Sequence, residues 1–585
     1  MTFQSTSDRY LAISGGGYQT ISLSAGWLAG GMDGTAISGR DDDIDQLLGN
    51  IKGLSSSSGG SLFSSMLAYS STFRGQFESK AGRDSWNSSG YNWQVGQMLG
   101  SLFDEDGTPK LSPIAKSYVE YIKAALNKTK SLLWAYGIKF DTECLMDSVQ
   151  QAAMAYTLLD GNSGFGWRDF VDAYIYTPMG IDAELKNINL TSQRNSWAQD
   201  VDLIFGAAMQ TSPVVLGKIG SRLTKGYTRV SALPRQSTVP SEQQFTPLSV
   251  ISEAPNQISN TPRAAALFTA GPLKATYSSL GLQRGHAITK IIPSRLSNTL
   301  SLIDASTISG AFGAIGAGIG ATASVLTKSH SLQSKINKIL SPISHLLRNM
   351  APAAGTAHGV LGPLEKSPDT VGFAAQVGAL RLADSAYADN TAIGHLLRQI
   401  QDTKGLEQPF SIVLLMNSNE APDPITGMRK RVRVGPDASN LSLFGLPSEV
   451  TNLFGQSAGD GSIDGDSITM VRFPFVKVPS AHLFNESAWY GRSAPDWSFK
   501  KGSISISYNK LDVTTVENKS FGVKPGQRGQ LHVFSAINTE SQPLPFKLNV
   551  LGEYEKNYDV IREAIAGGGG FPYLQDALGL KPAII

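Results

Sequence analysis

The chain has one cysteine, Cys144, in 585 residues. That excludes an internal disulfide and any cysteine-rich zinc site, so packing and hydrogen bonds have to hold the fold, as suits a reducing compartment. An excess of charge is also missing: 50 Lys and Arg against 48 Asp and Glu leave a net +2, with no long basic stripe, and nucleic acid is not expected as a partner. Long apolar runs are scarce. The one uncharged stretch long enough to raise the question of a membrane span, ISGAFGAIGAGIGATASVL from Ile308 to Leu326, is nearly all Gly and Ala. Its insertion would be weak, and buried small-residue packing is the expected role. The first residues, MTFQSTSDRYLAIS, have no basic segment followed by an apolar one, so the expectation is a cytoplasmic protein or one exported without a cleaved leader. With 41% apolar and 17% charged residues the composition is that of an ordinary globular protein, and the length suggests about two to four domains.

What is present is glycine and serine, concentrated in two turns. Tyr10 to Ser14 (YLAIS) reads as a short strand, Gly15, Gly16 and Gly17 as a loop, and Gln19 to Leu28 as a helix with Ile21, Ala25 and Leu28 on one face. Three glycines let backbone N–H groups point into a common space, and the helix dipole adds positive potential there, which makes an anion or oxyanion site. The loop is neither GxGxxG nor a P-loop, which argues against a nucleotide. Leu54 to Leu67, LSSSSGGSLFSSML, is written as a strand, a sharp turn and a helix whose buried face is Leu62, Phe63, Met66 and Leu67. Ser58 is the candidate nucleophile, because Gly59 and Gly60 follow it and the helical face falls behind it; Gly53-Leu54-Ser55 is a competing register.

Elsewhere, Asp33 to Asn50 reads as a polar loop whose Asp41, Asp42, Asp43 and Asp45 form a solvated surface. Helices are expected at Pro113 to Tyr136, Asp147 to Leu159 and Leu332 to Met350, and no internal repeat appears. Of the aromatics Trp93, Phe103, Trp134, Phe165, Trp167 and Phe170, most are expected in the core and a few in a lipid-facing lid. Val377 to Asp384 reads as a strand ending on a carboxylate, a usual place for catalysis in an α/β sheet. Asp389 stands where the N-cap of a helix with apolar face Ile393, Leu396, Leu397 and Ile400 belongs. Phe410 to Asn417 (FSIVLLMN) reads as a strand buried on both faces. DGSIDGD, from Asp460 to Asp466, lacks the calcium-loop pattern and reads as a turn. Strand-like MVRFPFVKV, SISISYNKLDVTTV and QLHVFSAI follow, then a helix with Tyr554, Tyr558, Ile561 and Ile565 on one face.

Glycine loop, serine turn and acidic turn occur in one order, and together they resemble the patatin and cytosolic phospholipase A2 superfamily of lipid acyl hydrolases. ISGGGY is similar to that family's oxyanion loop, SSSGGSLFSSML to its nucleophile elbow from the serine onward, ADSAYADN to its aspartate turn, and ASTISGA, from Ala305 to Ala311, to a small-residue block upstream. Ser56 departs from the pattern, standing where the elbow usually has glycine. The resemblance implies a three-layer α/β/α patatin-like core with a large insertion and a strand-rich C-terminal portion. Residues 1–81 would carry the loop and elbow, 82–300 a lid-like helical insertion, 301–420 the rest of the core with the aspartate, and 421–585 strands packed back on it. It also implies a Ser58–Asp384 dyad that cleaves acyl esters of phospholipids or lysophospholipids, with Gly15, Gly16 and Gly17 as the oxyanion hole, no cofactor and no metal. Contact with a membrane or micelle surface would be peripheral. The rivals are a Ser-His-Asp esterase, for which His395 and His482 follow Asp384 in the chain, and a silent lipid-binding protein of the same fold.

Overall fold

Strand β1 (Arg9–Ile13) is buried along its whole length, as a strand must be when it has neighbours on both edges and helices on both faces. The computed structural model describes residues 8–39, 43–104, 110–113, 116–117, 119–120, 123–124, 170–186, 188, 190, 192–211, 243–252, 254, 266–270, 302–303, 306, 381–383, 385–417, 449–455, 476–477, 482–518, 521–538 and 549–580. It is an α/β protein built on one mixed sheet of 11 strands. The parallel centre is β3 (Asp202–Thr211), β2 (Ile51–Ser56), β1, β7 (Phe410–Met416) and β11 (Arg528–Asn538), in that order. Antiparallel strands extend both sides: β4 (Gln243–Ser252) and β5 (Ala266–Ala270) beyond β3, β10 (Ile504–Thr514) and β9 (Trp497–Lys501) beyond β11.

Alternation along β1 sorts the two cores. Leu11 and Ile13 enter one apolar cluster with Ile21, Trp27, Phe63 and Met66; Tyr10 and Ala12 enter another with Ile393, Leu396, Leu397 and Ile400. The first cluster is supplied by α1 (Gly17–Ile37) and α3 (Gly59–Tyr69), the second by the helix Ile393–Lys404. Between α1 and β2 lies the short α2 (Ile44–Leu48). One detail sets up the site. Ser56 stands opposite Phe205, but β3 runs on to Thr211, and along that surplus β6 (Arg381–Ala383) pairs antiparallel with Ala383 opposite Ala208. β4 occupies the other edge of β3, so β6 advances toward the end of β2 along the line that β2 leaves open.

Three sequence expectations are corrected. Asp33 to Asn50 is not a loop: α1 continues through Ile37, and Ile44, Leu47 and Leu48 are buried in α2. The polar look is explained by Asp33, whose carboxylate takes Arg83 Nε at 2.8 Å and also Arg562. Residues 202–270 do not belong wholly to an insertion, since they contribute β3, β4 and β5 to the sheet. The C-terminal strands, expected to pack back on the core, join its sheet instead: β11 pairs with β7. Of those aromatics, Phe103 is buried, Phe170 packs against the core and Trp93 is 42% exposed. Trp134, Phe165, Trp167, Cys144, the stretches Asp147 to Leu159, Ile308 to Leu326 and Leu332 to Met350, and DGSIDGD lie outside the described residues. Among the described residues no helix is long and apolar enough to cross a membrane.

Helix α1 is covered by the helix Asn549–Ala566, and glycine lets the two backbones close on each other. A Cβ on Gly30 would lie 2.7 Å from Ile565 Cβ and 2.9 Å from the Arg562 carbonyl; one on Gly26 would lie 2.9 Å from the Tyr558 carbonyl. Gly75, in the helix Ser71–Glu78, has nothing within 4 Å of its Cβ position. Gly30→Val is therefore expected to lower stability by about 1–3 kcal/mol through overpacking, and Gly75→Ala to raise it by about 0.5–1 kcal/mol through backbone entropy. Urea unfolding of the two variants checks both signs.

Candidate active site

At Ser58 the chain leaves β2 and enters α3 through a backbone that only a sharp turn requires: φ 49° and ψ −125°. A non-glycine residue held there costs on the order of 1–3 kcal/mol, and this strand-turn-helix geometry projects the serine side chain above the carboxyl end of the sheet. Leu62, Phe63, Met66 and Leu67 are all buried behind it. Ser55, the competing register, is an interior residue of β2, paired with Ala12 and fully buried, with no partner for its hydroxyl. The remaining serines hold the turn. Ser57 N–H donates to the Ile13 carbonyl at 3.1 Å, and Ser56 Oγ receives Ser61 Oγ and Ser64 Oγ, each at 3.0 Å. Serine at position 56 is thus bonded to the helix behind the elbow.

The glycine loop lies directly against this turn. A Cβ on Gly59 would overlap the Gly17 carbonyl oxygen, and one on Gly15 would overlap Asn390 Oδ1 and lie 2.8 Å from Ser58 Cβ. Gly16 and Gly17 have φ of 146° and 63°, which glycine alone adopts freely. Their roles divide. Gly15 is buried and its N–H is committed to the Asn390 carbonyl at 2.9 Å, so the predicted help from the Gly15 amide is corrected to an anchoring role. Gly16 and Gly17 are half-buried, and their N–H groups make no hydrogen bond among the described residues. Neither α1 nor α3 has a side-chain cap at its start, so two uncapped helix N-termini meet beside the Ser58 side chain. That arrangement favours negative charge.

Two asparagines that sequence reasoning did not single out fix the loop from either side. Asn417, the residue after β7, receives Trp27 Nε1 at 2.9 Å on Oδ1, donates Nδ2 to Ser24 Oγ at 2.9 Å, and donates its N–H to Ser14 Oγ at 2.8 Å. Its carbonyl lies 2.8 Å from the Gly16 Cβ position. Asn390 holds Gly15 through its carbonyl while its Nδ2 donates to the buried Glu449 at 2.8 Å. Only their places, at the end of a buried strand and before a helix, pointed that way.

Asp384, the predicted base, lies outside the described residues. Its chain neighbour Ser385 is described and sits at the elbow: Ser385 Oγ accepts the Ser58 N–H at 2.9 Å and is hydrogen-bonded to Ser57 Oγ. Asp389 is not the N-cap, which is Ala392; from three residues further back its carboxylate accepts Thr391 N–H at 2.8 Å and Gly394 N–H at 2.7 Å, and the helix begins at Ile393. Burial raises the Asp389 pKa and these bonds oppose that rise.

His395 is enclosed on the helix Ile393–Lys404, its ring edge-on to Phe521 and its Nε2 without a partner; burial lowers its pKa to about 3. His482 Nε2 meets the Phe484 carbonyl at 2.9 Å, near Gly455 rather than near the elbow residues. A second buried ring, His532, is likewise held near a pKa of about 3 by burial. An unfolded imidazole takes up its proton near pH 6.5. The unfolded state therefore binds more protons between about pH 6.5 and 3, and stability falls as pH drops through that window. His395→Gln removes one contributor, so its urea midpoint is expected to fall less steeply than wild type between pH 6.5 and 4.5. Parallel curves would mean that the ring is not buried in its neutral form.

Compared with protein-family models, with curated proteins and with solved structures, the chain matches none.

Proposed function

We propose that this protein hydrolyses fatty acyl esters, with phospholipids or lysophospholipids as the substrate class, through a Ser58–Asp384 dyad. The observation that carries the reading is the conformation of Ser58 beside the unpartnered N–H groups of Gly16 and Gly17. On this reading the fold is the patatin-like three-layer core. What supports Asp384 is its chain neighbour Ser385, which is hydrogen-bonded to Ser58 and Ser57.

The chemistry follows from the groups. A serine hydroxyl needs a base to accept its proton as it attacks, and an aspartate within hydrogen-bond reach serves in a dry site. Asp384 takes the proton from Ser58 Oγ while that oxygen bonds to the ester carbonyl carbon. The tetrahedral oxyanion is stabilised by the Gly16 and Gly17 amides at the positive end of α1. Asp384 then gives the proton to the departing alcohol oxygen, and water, deprotonated by the same carboxylate, releases the fatty acid and frees Ser58. Imidazole has no part on this reading: burial lowers the His395 pKa to about 3, which makes its ring a weak base for the Ser58 proton. Substrate reaches the site by peripheral contact with a lipid surface.

A fluorophosphonate probe is expected to label wild type at Ser58 and to leave Ser58→Ala unlabelled. Ser58→Ala and Asp384→Asn should each lower kcat by about 10³-fold or more on a mixed lysophospholipid and phospholipid preparation, read by mass spectrometry of the released fatty acids. Replacing both His395 and His482 should leave the dyad working; loss of activity in that double variant with the fold intact would favour the Ser-His-Asp rival. Unlabelled wild type would favour a silent lipid-binding protein.

A further inference from the structure

We infer that Ser385 is a positioning residue: its buried hydroxyl holds the backbone of Ser58 in the strained turn and so sets the aim of the Ser58 side chain. This rests on the reading of Ser58 as nucleophile. Ser385 Oγ accepts the Ser58 N–H at 2.9 Å and shares a hydrogen bond with Ser57 Oγ, so a single oxygen is tied to two consecutive residues of the elbow. Ser385 is 1% exposed. In an elbow with φ 49° the Ser58 N–H turns away from the strand ladder, and the bond it makes is to a side chain 327 positions later.

The hydroxyl is itself braced. The Ser385 carbonyl receives Ala388 N–H and Asp389 N–H, each at 2.8 Å, which closes a single helical turn. Asp389 in turn is bonded to the helix Ile393–Lys404 through Gly394. A rigid path therefore runs from that helix to Asp389, to Ser385 and to the amide of Ser58. On the other side stands Gly206, whose Cβ position is at ordinary contact distance from Ser385 Cβ (3.5 Å), the Ser56 carbonyl (3.4 Å) and His395 Cδ2 (3.4 Å). β6 delivers the residue there by pairing along the surplus of β3. A side chain that only filled space would need no hydroxyl; one that accepts a strained amide does.

The test compares wild type with Ser385→Ala in three measurements: the fluorophosphonate labelling rate at Ser58, kcat and KM for a soluble p-nitrophenyl acyl ester, and amide hydrogen exchange at Ser58. The expected result is a labelling rate and kcat lower by about 10- to 100-fold with KM within about twofold, since a small misplacement of a reacting group acts on the chemical step. Exchange at Ser58 should accelerate by about 10-fold with the loss of its acceptor. Unchanged exchange would overturn the clamp, and changed exchange with an undiminished labelling rate would overturn its role in aiming the nucleophile. If wild type itself is not labelled at Ser58, the proposed reaction fails, and the clamp is then decided by exchange alone.

Discussion

Two neighbouring parallel strands that each run straight into a helix create a crowding problem, and the rest of the site depends on how it is relieved. β1 and β2 are paired residue against residue, so their ends stand about 4.8 Å apart, whereas helix axes pack about 8–10 Å apart. α1 and α3 must therefore diverge, and their first turns are pressed together where they leave the sheet. Glycine relieves that pressure on both sides: a Cβ on Gly59 would overlap the Gly17 carbonyl, and one on Gly60 would lie 2.7 Å from the Ile13 carbonyl. The same crowding draws two helix N-termini to one point and leaves Ser58 between them. Positive potential and the position of Ser58 thus have a single steric origin.

A turn so tight cannot hold itself by local bonds alone, and the polar contacts that secure it come from distant segments. Asn417 reaches Trp27 and Ser24 across 390 and 393 positions, and Ser57 meets Ser385 across 328. These groups are buried, where an unmade hydrogen bond is expensive and a made one is strong. Asn417 after β7 and Ser385 beyond β6, both buried, are therefore part of the site as much as the two turns. The sheet serves as the gauge that brings their ends to the same level.

The turns were legible in the sequence because steric demand is written in residue type: consecutive glycines after an apolar run, and serine-glycine-glycine before an amphipathic face. The strands β1, β2, β7, β10 and β11 were legible through apolar runs and alternation. Less was visible where the signal is long-range. Asp33 looked like loop because its partners, Arg83 and Arg562, are far along the chain. β3 to β5 looked like insertion although β3 carries the apolar run LIFGAAM, because what makes them sheet is pairing, β3 on β2, β4 on β3 and β5 on β4. Ser385 and Asn390 lie in the ADSAYADN turn and Asn417 ends a buried strand, but their clamping roles were not visible, since an amide or hydroxyl is committed only when its partner is in place.

The glycine-lined seam between α1 and the helix Asn549–Ala566 has a consequence for synthesis. Residues 18–32 of α1 are all buried, and the face carrying Gly26 and Gly30 is covered by a helix made more than 500 residues later. At about 5–20 residues per second, the ribosome needs roughly 25 to 100 s to supply that cover. Throughout that interval the face of α1 that carries Gly26 and Gly30 lacks the helix that covers it. How long that face stays uncovered during synthesis is set by the order in which two packed helices are translated.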